Sequence, residues 1–173
     1  MRHVRIAEAE EDDLPSLVDA LGQEHYFATQ LARQRDGHGV LLVALDRFTP
    51  VGDVYVWLAE AEEPELRDGL AGVPLLVHLE VAPRHRGRGI GTRLVLAAEE
   101  VVRRRCGRVA LGVSPQDHRM HHFYQRLGYR AWRWEPVRTH RESWDEQGRL
   151  LREPDLCRVL IKDLPPRSVE GAL

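Results

Sequence analysis

The amino-acid sequence predicts an α/β fold in one domain covering residues 1–173, and three observations carry this expectation. Short β-branched and apolar runs recur along the chain between segments of helical periodicity. Two of these runs, Val40–Leu45 and Val51–Leu58, are separated only by Asp46-Arg47-Phe48-Thr49-Pro50, the spacing of an antiparallel hairpin. A glycine-rich turn, Arg86-Gly87-Arg88-Gly89-Ile90-Gly91, then joins a strand pattern to an amphipathic helix. The length of 173 residues suffices for one core, since domains commonly span about 100–200 residues.

Each element has its own local reason. Val4–Ala7 reads as a first strand, and Glu11-Asp12-Asp13-Leu14-Pro15 puts acids and a proline where a helix start favours both. Leu14, Leu17, Val18 and Leu21 give that helix an apolar face. A second helix runs from about Glu24 to Arg35, ended by Asp36-Gly37. After the hairpin, Glu60, Glu62, Glu63, Glu65 and Asp68 mark an acidic loop ahead of the strand-like Pro74–Val81. From Ile90, apolar residues recur at Leu94, Ala98 and Val101, widened by Val95 and Val102, predicting a helix to about Arg105 that Cys106-Gly107 ends. Val109–Val113 is a short strand, Asp117–Leu127 a helix closed by Gly128, and Tyr129–Trp134 a returning strand. Asp145-Glu146-Gln147-Gly148 is a turn, and Leu156–Ile161 the last strand before Pro165-Pro166.

Composition narrows the function. With 43% hydrophobic and 30% charged residues and no apolar run near the roughly 20 residues that span a bilayer, no membrane insertion is expected. The start Met1-Arg2-His3-Val4-Arg5-Ile6 enters a strand pattern without a secretory leader, so a cytoplasmic location is expected. Cys106 and Cys157 form no C-x-x-C pair and read as reduced thiols. His118 and His122 share the four-residue spacing of one helix face, yet read as polar side chains turned to solvent, and no metal is expected. The net charge of −2 argues against a nucleic-acid partner while leaving a local basic patch free to hold one small polyanion.

That patch is the glycine-rich turn. Glycines 87, 89 and 91 let the backbone approach a ligand, and the helix that follows aims unpaired N–H groups and its positive dipole end at an anion. A hydrogen bond to a charged group contributes roughly 1.5–3 kcal/mol, against about 0.3–1 kcal/mol for an exposed helix terminus alone. Convergent amides therefore dominate over the neighbouring Arg84, His85, Arg86, Arg88 and Arg93. The spacing is neither the dinucleotide fingerprint nor a Walker A loop. Taken alone, the hexapeptide reads equally as a tight strand-to-helix turn.

Leu79-Glu80-Val81-Ala82-Pro83-Arg84-His85-Arg86-Gly87-Arg88-Gly89-Ile90-Gly91, followed by Leu111-Gly112-Val113, Asp117, Phe123-Tyr124 and Leu127-Gly128-Tyr129, resembles the GNAT superfamily of acyl-CoA N-acyltransferases. Arg86, Gly89 and Gly91 satisfy that family's cofactor loop. The resemblance implies a mixed, mostly antiparallel sheet splayed between strands 4 and 5 and flanked by helices, with acetyl-CoA entering the gap. It implies backbone groups of Leu79 and Val81 on the pantetheine and acyl group, and amides from Gly87 through Arg88, Gly89, Ile90 and Gly91 to Thr92 on the pyrophosphate. Asp117 falls further along the pantetheine wall, where the family commonly has Asn; an ionised Asp only accepts. Tyr124 takes the position of the residue that protonates the departing CoA thiolate, as a phenol can.

For the amine's proton, Glu80 and His78 are the candidate bases. Alternation puts them on one face of their strand and Leu79 and Val81 on the other, and a bulge near the splay would change which side meets the acceptor. Gly112 removes a glutamate that the family sometimes carries on the fifth strand. The acidic run from Glu60 to Asp68 reads as a solvated loop, or else as a surface that steers a cationic amine, and Trp132, Trp134 and Trp144 read as strand packing, or else as shaping the acceptor pocket or a subunit contact. The activity expected is acetyl transfer from acetyl-CoA to a primary amine of a small molecule or peptide, by direct attack in a ternary complex. The alternative is a catalytically silent acyl-CoA-binding domain. A homodimer through the late strands is a further expectation.

Overall fold

A computed structural model describes residues 3–167; Met1 and Arg2, with which the expected leaderless start begins, lie outside the described residues. The chain runs β1 (Val4–Glu8), α1 (Leu14–Leu21), α2 (Glu24–Arg35), β2 (Gly39–Asp46), β3 (Thr49–Trp57), α3 (Pro64–Gly69), β4 (Leu75–Val81), α4 (Ile90–Arg103), β5 (Arg108–Val113), α5 (His118–Arg126), β6 (Arg130–Ala131), β7 (Val137–Trp144) and β8 (Leu150–Asp163). The sheet order is β1-β2-β3-β4-β5-β8-β6, with β7 paired to β8. Every pairing is antiparallel except β4 with β5.

That parallel pair holds for only two register positions, Leu75 with Ala110 and Leu76 with Leu111, after which the strands part. The expected splay between strands 4 and 5 is therefore present. It opens at the C-terminal end of β4, where the glycine-rich turn leads into α4.

Clean alternation on β2 and β3 sorts side chains to two faces. Leu42, Ala44, Val54 and Val56 join Leu94, Val95, Ala98 and Val102 of α4 in one core, while Leu41, Val43 and Tyr55 pack with Leu17 of α1 and Tyr26, Phe27 and Leu31 of α2 in another. A third cluster, with Leu66 and Leu70 of the α3 region against Ala110, Val137, Val159 and Ile161, covers the late strands.

Three expectations need correction. The acidic connection is not only a loop, because Pro64 at the first turn starts the short α3 and Leu66 buries. Tyr129–Trp134 yields just two strand residues, Arg130 and Ala131, because β8 from Cys157 back toward its start pairs with β7 instead. The last strand begins at Leu150, and its first half pairs with the unexpected β7. The turn between them is tied by Asp145, whose carboxylate accepts from the Gln147 and Arg149 backbone N–H groups at 2.9 Å each.

Candidate functional site

The glycine-rich turn forms one wall of a cavity of about 590 Å³ in the splay. Gly87 and Gly89 adopt φ +74° and +77°, the left-handed region that other residues enter only at a cost. The helical ladder of α4 starts with the Arg93 N–H donating to the Gly89 carbonyl at 3.1 Å, so the N–H groups of Ile90, Gly91 and Thr92 have no acceptor within the helix. A buried His85 Nδ1 without a partner adds a fourth polar group beside this cavity. An anion at the mouth would satisfy the three amides together, so the residues fit the diphosphate of CoA.

Leu79, Glu80, Val81, Arg86, Gly87, Gly89, Ile90, Gly91, Thr92 and Asp117 all line this cavity. The Arg88 side chain lines a separate recess with Val4, Asp46 and Arg93, which leaves its expected contribution to the backbone amide. Arg86 braces the turn, its Nε–H donating to the Val81 carbonyl at 2.9 Å. That carbonyl is thus already engaged by protein. Asp117 caps α5, accepting from the Met120 N–H at 3.1 Å, the use an Asp makes of its acceptor-only carboxylate. Phe123 completes the cavity wall across from Gly91.

Tyr124, the expected acid, is buried in the α4 core, edge-on to Phe123 and Tyr129 at 5.0 and 5.3 Å between ring centres. It lines neither this cavity nor the one described next. Burial raises its pKa well above the ordinary 10, so the phenol keeps its proton.

A second cavity, of about 460 Å³, lies on the α1–α2 face of β4. Tyr26 and Gln30 of α2, Trp57, Glu62, Glu63, and the β7–β8 hairpin enclose it. The hairpin is drawn against α2 by Arg33, whose two terminal nitrogens donate to Glu142 at 3.0 and 2.8 Å. Its tip sits so close that a Cβ on Gly148 would lie 2.8 Å from the His25 ring. Of the acidic run, only Glu62 and Glu63 line the cavity. Glu62 pairs with Arg152 and lies 3.2 Å from His140 Nε2, whereas Glu63 accepts only from the neutral Thr139 hydroxyl, so of the two only Glu62 is matched by a cation. Trp144 lines the cavity; Trp132 packs in the third core cluster and Trp134 is 81% exposed.

His78 and Glu80 meet where the two cavities adjoin. Opposite Val54, β4 carries an extra residue, because Tyr55 pairs with Val77 and Asp53 with Glu80. His78 takes φ +58° in this bulge. Strict alternation from Leu76 would send His78 to the α4 face; the bulge turns it, with Glu80, toward α2, and leaves Leu79 and Val81 in the α4 core. His78 lines the second cavity, Glu80 the first, and His78 Nε2 lies 3.2 Å from Glu80 Oε2. Behind them Asp53, 1% exposed, approaches His78 Nδ1 at 3.2 Å and accepts from the Tyr26 hydroxyl at 2.8 Å.

Asp53, Tyr26 and Gln23 are site residues that periodicity alone does not single out. One signal was present, a carboxylate inside the otherwise apolar run Val51–Leu58, since a buried charge needs a partner. Among the described residues no group of three or more His, Cys, Asp or Glu side chains could hold a metal ion. No described helix is long and apolar enough to cross a membrane.

With this geometry in hand, the chain matches a family model described as "Acetyltransferase (GNAT) family" over residues 5–129. It is similar to the PaiA N-acetyltransferase of Thermoplasma acidophilum, solved in complex with coenzyme A, at 15% identity and a TM-score of 0.63, covering 93% of this chain and 99% of that one. It is similar to Arabidopsis thaliana NAA60, solved with a bisubstrate analogue, at 18% identity and 0.65, covering 95% and 100%. It is also similar to the ribosomal-protein-S18-alanine N-acetyltransferase of Escherichia coli, at 13% and 0.64, covering 99% and 100%. At such identities the structures share a fold. No curated protein matches the chain.

Proposed function

We propose that this chain, which belongs to the acetyltransferase (GNAT) family, moves an acetyl group from acetyl-CoA to a primary amine by direct attack in a ternary complex, as one catalytic domain working in the cytoplasm. The observation that carries this reading is the junction of two cavities at a single pair of ionisable side chains. An anion cradle opens on one side, a polar chamber on the other, and His78 and Glu80 touch at 3.2 Å between them.

The roles follow from what each group can do. Amides from Gly87 to Thr92 hold the pyrophosphate, and backbone groups of Leu79 and Val81 guide the pantetheine arm into the splay. The amine enters through the second cavity. As its C–N bond forms and the thioester C–S bond breaks, Glu80 or His78 takes the amine's proton and Tyr124 gives one to the thiolate. Tyr124 lines neither cavity, so its role rests on its place in the Phe123-Tyr124 motif and requires the thioester to reach deeper into the splay than the cavity described. With Glu62 paired to Arg152 and Glu63 held only by a hydroxyl, the chamber suits a small-molecule or peptide amine that carries a positive charge. For self-association, the exposed Leu150, Leu151 and Leu156 of β8 offer a surface, and light scattering across concentrations tests it.

Amine-dependent thiol release from acetyl-CoA, measured across small amines, polyamines and peptide N-termini, tests the reading. Release with one class names the acceptor. Acetyl-CoA binding without release under every amine sinks the enzyme reading and leaves a silent acyl-CoA-binding domain.

A further inference from the structure

We propose that His78 stands as an imidazolium braced by Asp53 and Gln23, and acts as a positioning residue for Glu80, which alone takes the amine's proton. This rests on reading the Glu80–His78 junction as the place of acetyl transfer.

Hydrogen-bond polarity around the ring is the first reason. The Gln23 side-chain amide directs its Nε2–H toward Glu80 Oε2 at 3.4 Å, which turns its Oε1 to His78 Nε2 at 3.1 Å. Reversing the amide would set its oxygen against the Glu80 carboxylate. His78 Nε2 therefore faces two acceptors, the Gln23 and Glu80 oxygens. His78 Nδ1 faces a third, Asp53 Oδ2, which already accepts from the Tyr26 hydroxyl. A neutral imidazole has one N–H and would press a lone pair on one of these oxygens; an imidazolium donates from both nitrogens and satisfies all of them.

Two independent features agree. The Tyr26 ring stacks on the imidazole with centroids 3.8 Å apart and 29° between planes, presenting its electron-rich face to a cation. Among the described non-glycine residues only Gln23, Arg47 and His78 have positive φ, and Gln23 and His78, at +55° and +58°, are hydrogen-bonded to each other. Arg47 belongs to the β2–β3 turn. Backbone strain concentrated on two partners that touch marks a geometry imposed by the surrounding fold.

The surrounding charges favour the cation. Asp53 from β3, Glu80 from β4 and Tyr26 from α2 face the ring directly. Across the cavity β7 presents His140, Arg141 and Glu142, the last already paired with Arg33. Burial alone would lower the His78 pKa, but the hydrogen bond and charge of Asp53, followed by the charge of Glu80, raise it above the ordinary 6.5.

An imidazolium cannot accept the amine's proton, so the bare acceptor at the junction is Glu80. The cation holds that carboxylate, 3.2 Å from His78 Nε2, at the boundary of the two cavities. In the transfer step the amine nitrogen bonds to the acetyl carbon as the C–S bond breaks, its proton passes to Glu80, and the thiolate takes the Tyr124 proton. The His78 protons stay in place.

The test is a ring-nitrogen and ring-carbon NMR titration of the full chain with isotope-labelled histidine, His78→Gln identifying the signal. At pH 7 both His78 nitrogens should be protonated, with a midpoint above the ordinary 6.5. Asp53→Asn should lower that midpoint by about 1–3 pH units, and Glu80→Gln should lower it as well. A singly protonated ring at pH 7, or a midpoint unmoved by either substitution, overturns the proposal. Should Asp53→Asn fail to fold, the unsubstituted chain and Glu80→Gln still decide it. In the thiol-release assay His78→Gln should retain an acid limb of kcat/KM displaced to higher pH, whereas loss of that limb would make His78 the base. The spectra need no turnover, so an imidazolium in a chain that never releases thiol would refute the acetyl-transfer reading and not the protonation state.

Discussion

Lys162, the sole lysine of the chain, anchors the helix that carries the anion cradle, and replacing it with Met should be costly. Its Nζ donates to both carboxylate oxygens of Glu99 in α4, at 2.9 and 3.1 Å, and the Tyr129 hydroxyl donates to the same carboxylate at 3.1 Å. Glu99 is 2% exposed, so Lys162→Met leaves a desolvated carboxylate with one neutral donor. Breaking a buried pair from one side costs about 3–5 kcal/mol. For a domain of this size each kcal/mol shifts Tm by roughly 2–4 °C, which gives a fall of about 6–20 °C. Met preserves most of the apolar stem, so the loss reports charge and not packing. Replacing both residues, Lys162→Met with Glu99→Gln, removes the stranded charge and should recover most of the stability. Thermal and urea unfolding followed by circular dichroism measure Lys162→Met, Glu99→Gln and the double variant. A Lys162→Met substitution that costs less than about 1 kcal/mol, or a double variant whose losses simply add, would refute the view that the buried Glu99 carboxylate depends on Lys162 for its charge partner.

Other outcomes follow from the site. Tyr124→Phe should lower turnover about 10²- to 10⁴-fold with CoA affinity nearly unchanged, as loss of a general acid does; unchanged turnover in the thiol-release assay would remove its role. Gly89→Ala forces a side chain into φ +77° at about 1–2 kcal/mol, read by thermal melting, and adds a methyl to the cradle wall without touching other protein atoms. Calorimetric titration should therefore show weaker CoA binding than the small stability loss explains. Burial pushes the Glu142 pKa up, but the Arg33 hydrogen bond and charge outweigh it and leave the value below the ordinary 4.5. The stabilisation is thus present above about pH 4.5 and disappears as pH falls through the lower folded value. Glu142→Gln should destabilise the chain more at pH 7 than at pH 3 in urea unfolding, and an equal loss at both would mean that the pair contributes no charge-dependent stability.

Local patterns made much of the fold legible. The helix at Glu24–Arg35 and the hairpin of β2 and β3 are written in short-range periodicity and turn residues, which act within one element. The cradle was legible for the same reason: glycines, a preceding strand and a following helix are consecutive in the chain. β7 was hidden because Val137–Trp144 mixes charged and polar residues, and its strand character comes from pairing with β8. Tyr124 shows the converse: its motif position was plain, yet its burial among Phe123 and Tyr129 follows from how α5 docks on α4.

What the sequence by itself determined was the family, the glycine-rich strand-to-helix turn at Gly87–Gly91, and the placing of His78 with Glu80 on one face of their strand. These depend on residue order and backbone geometry over a few positions. Only the tertiary structure decided which face that is and what stands behind it. A single bulge opposite Val54 turns His78 away from α4 toward Tyr26, Gln23 and Asp53, residues 25 to 55 positions distant. Register in a sheet is set by the partner strand, and the protonation of a buried imidazole by the oxygens that surround it, so neither can be read along the chain.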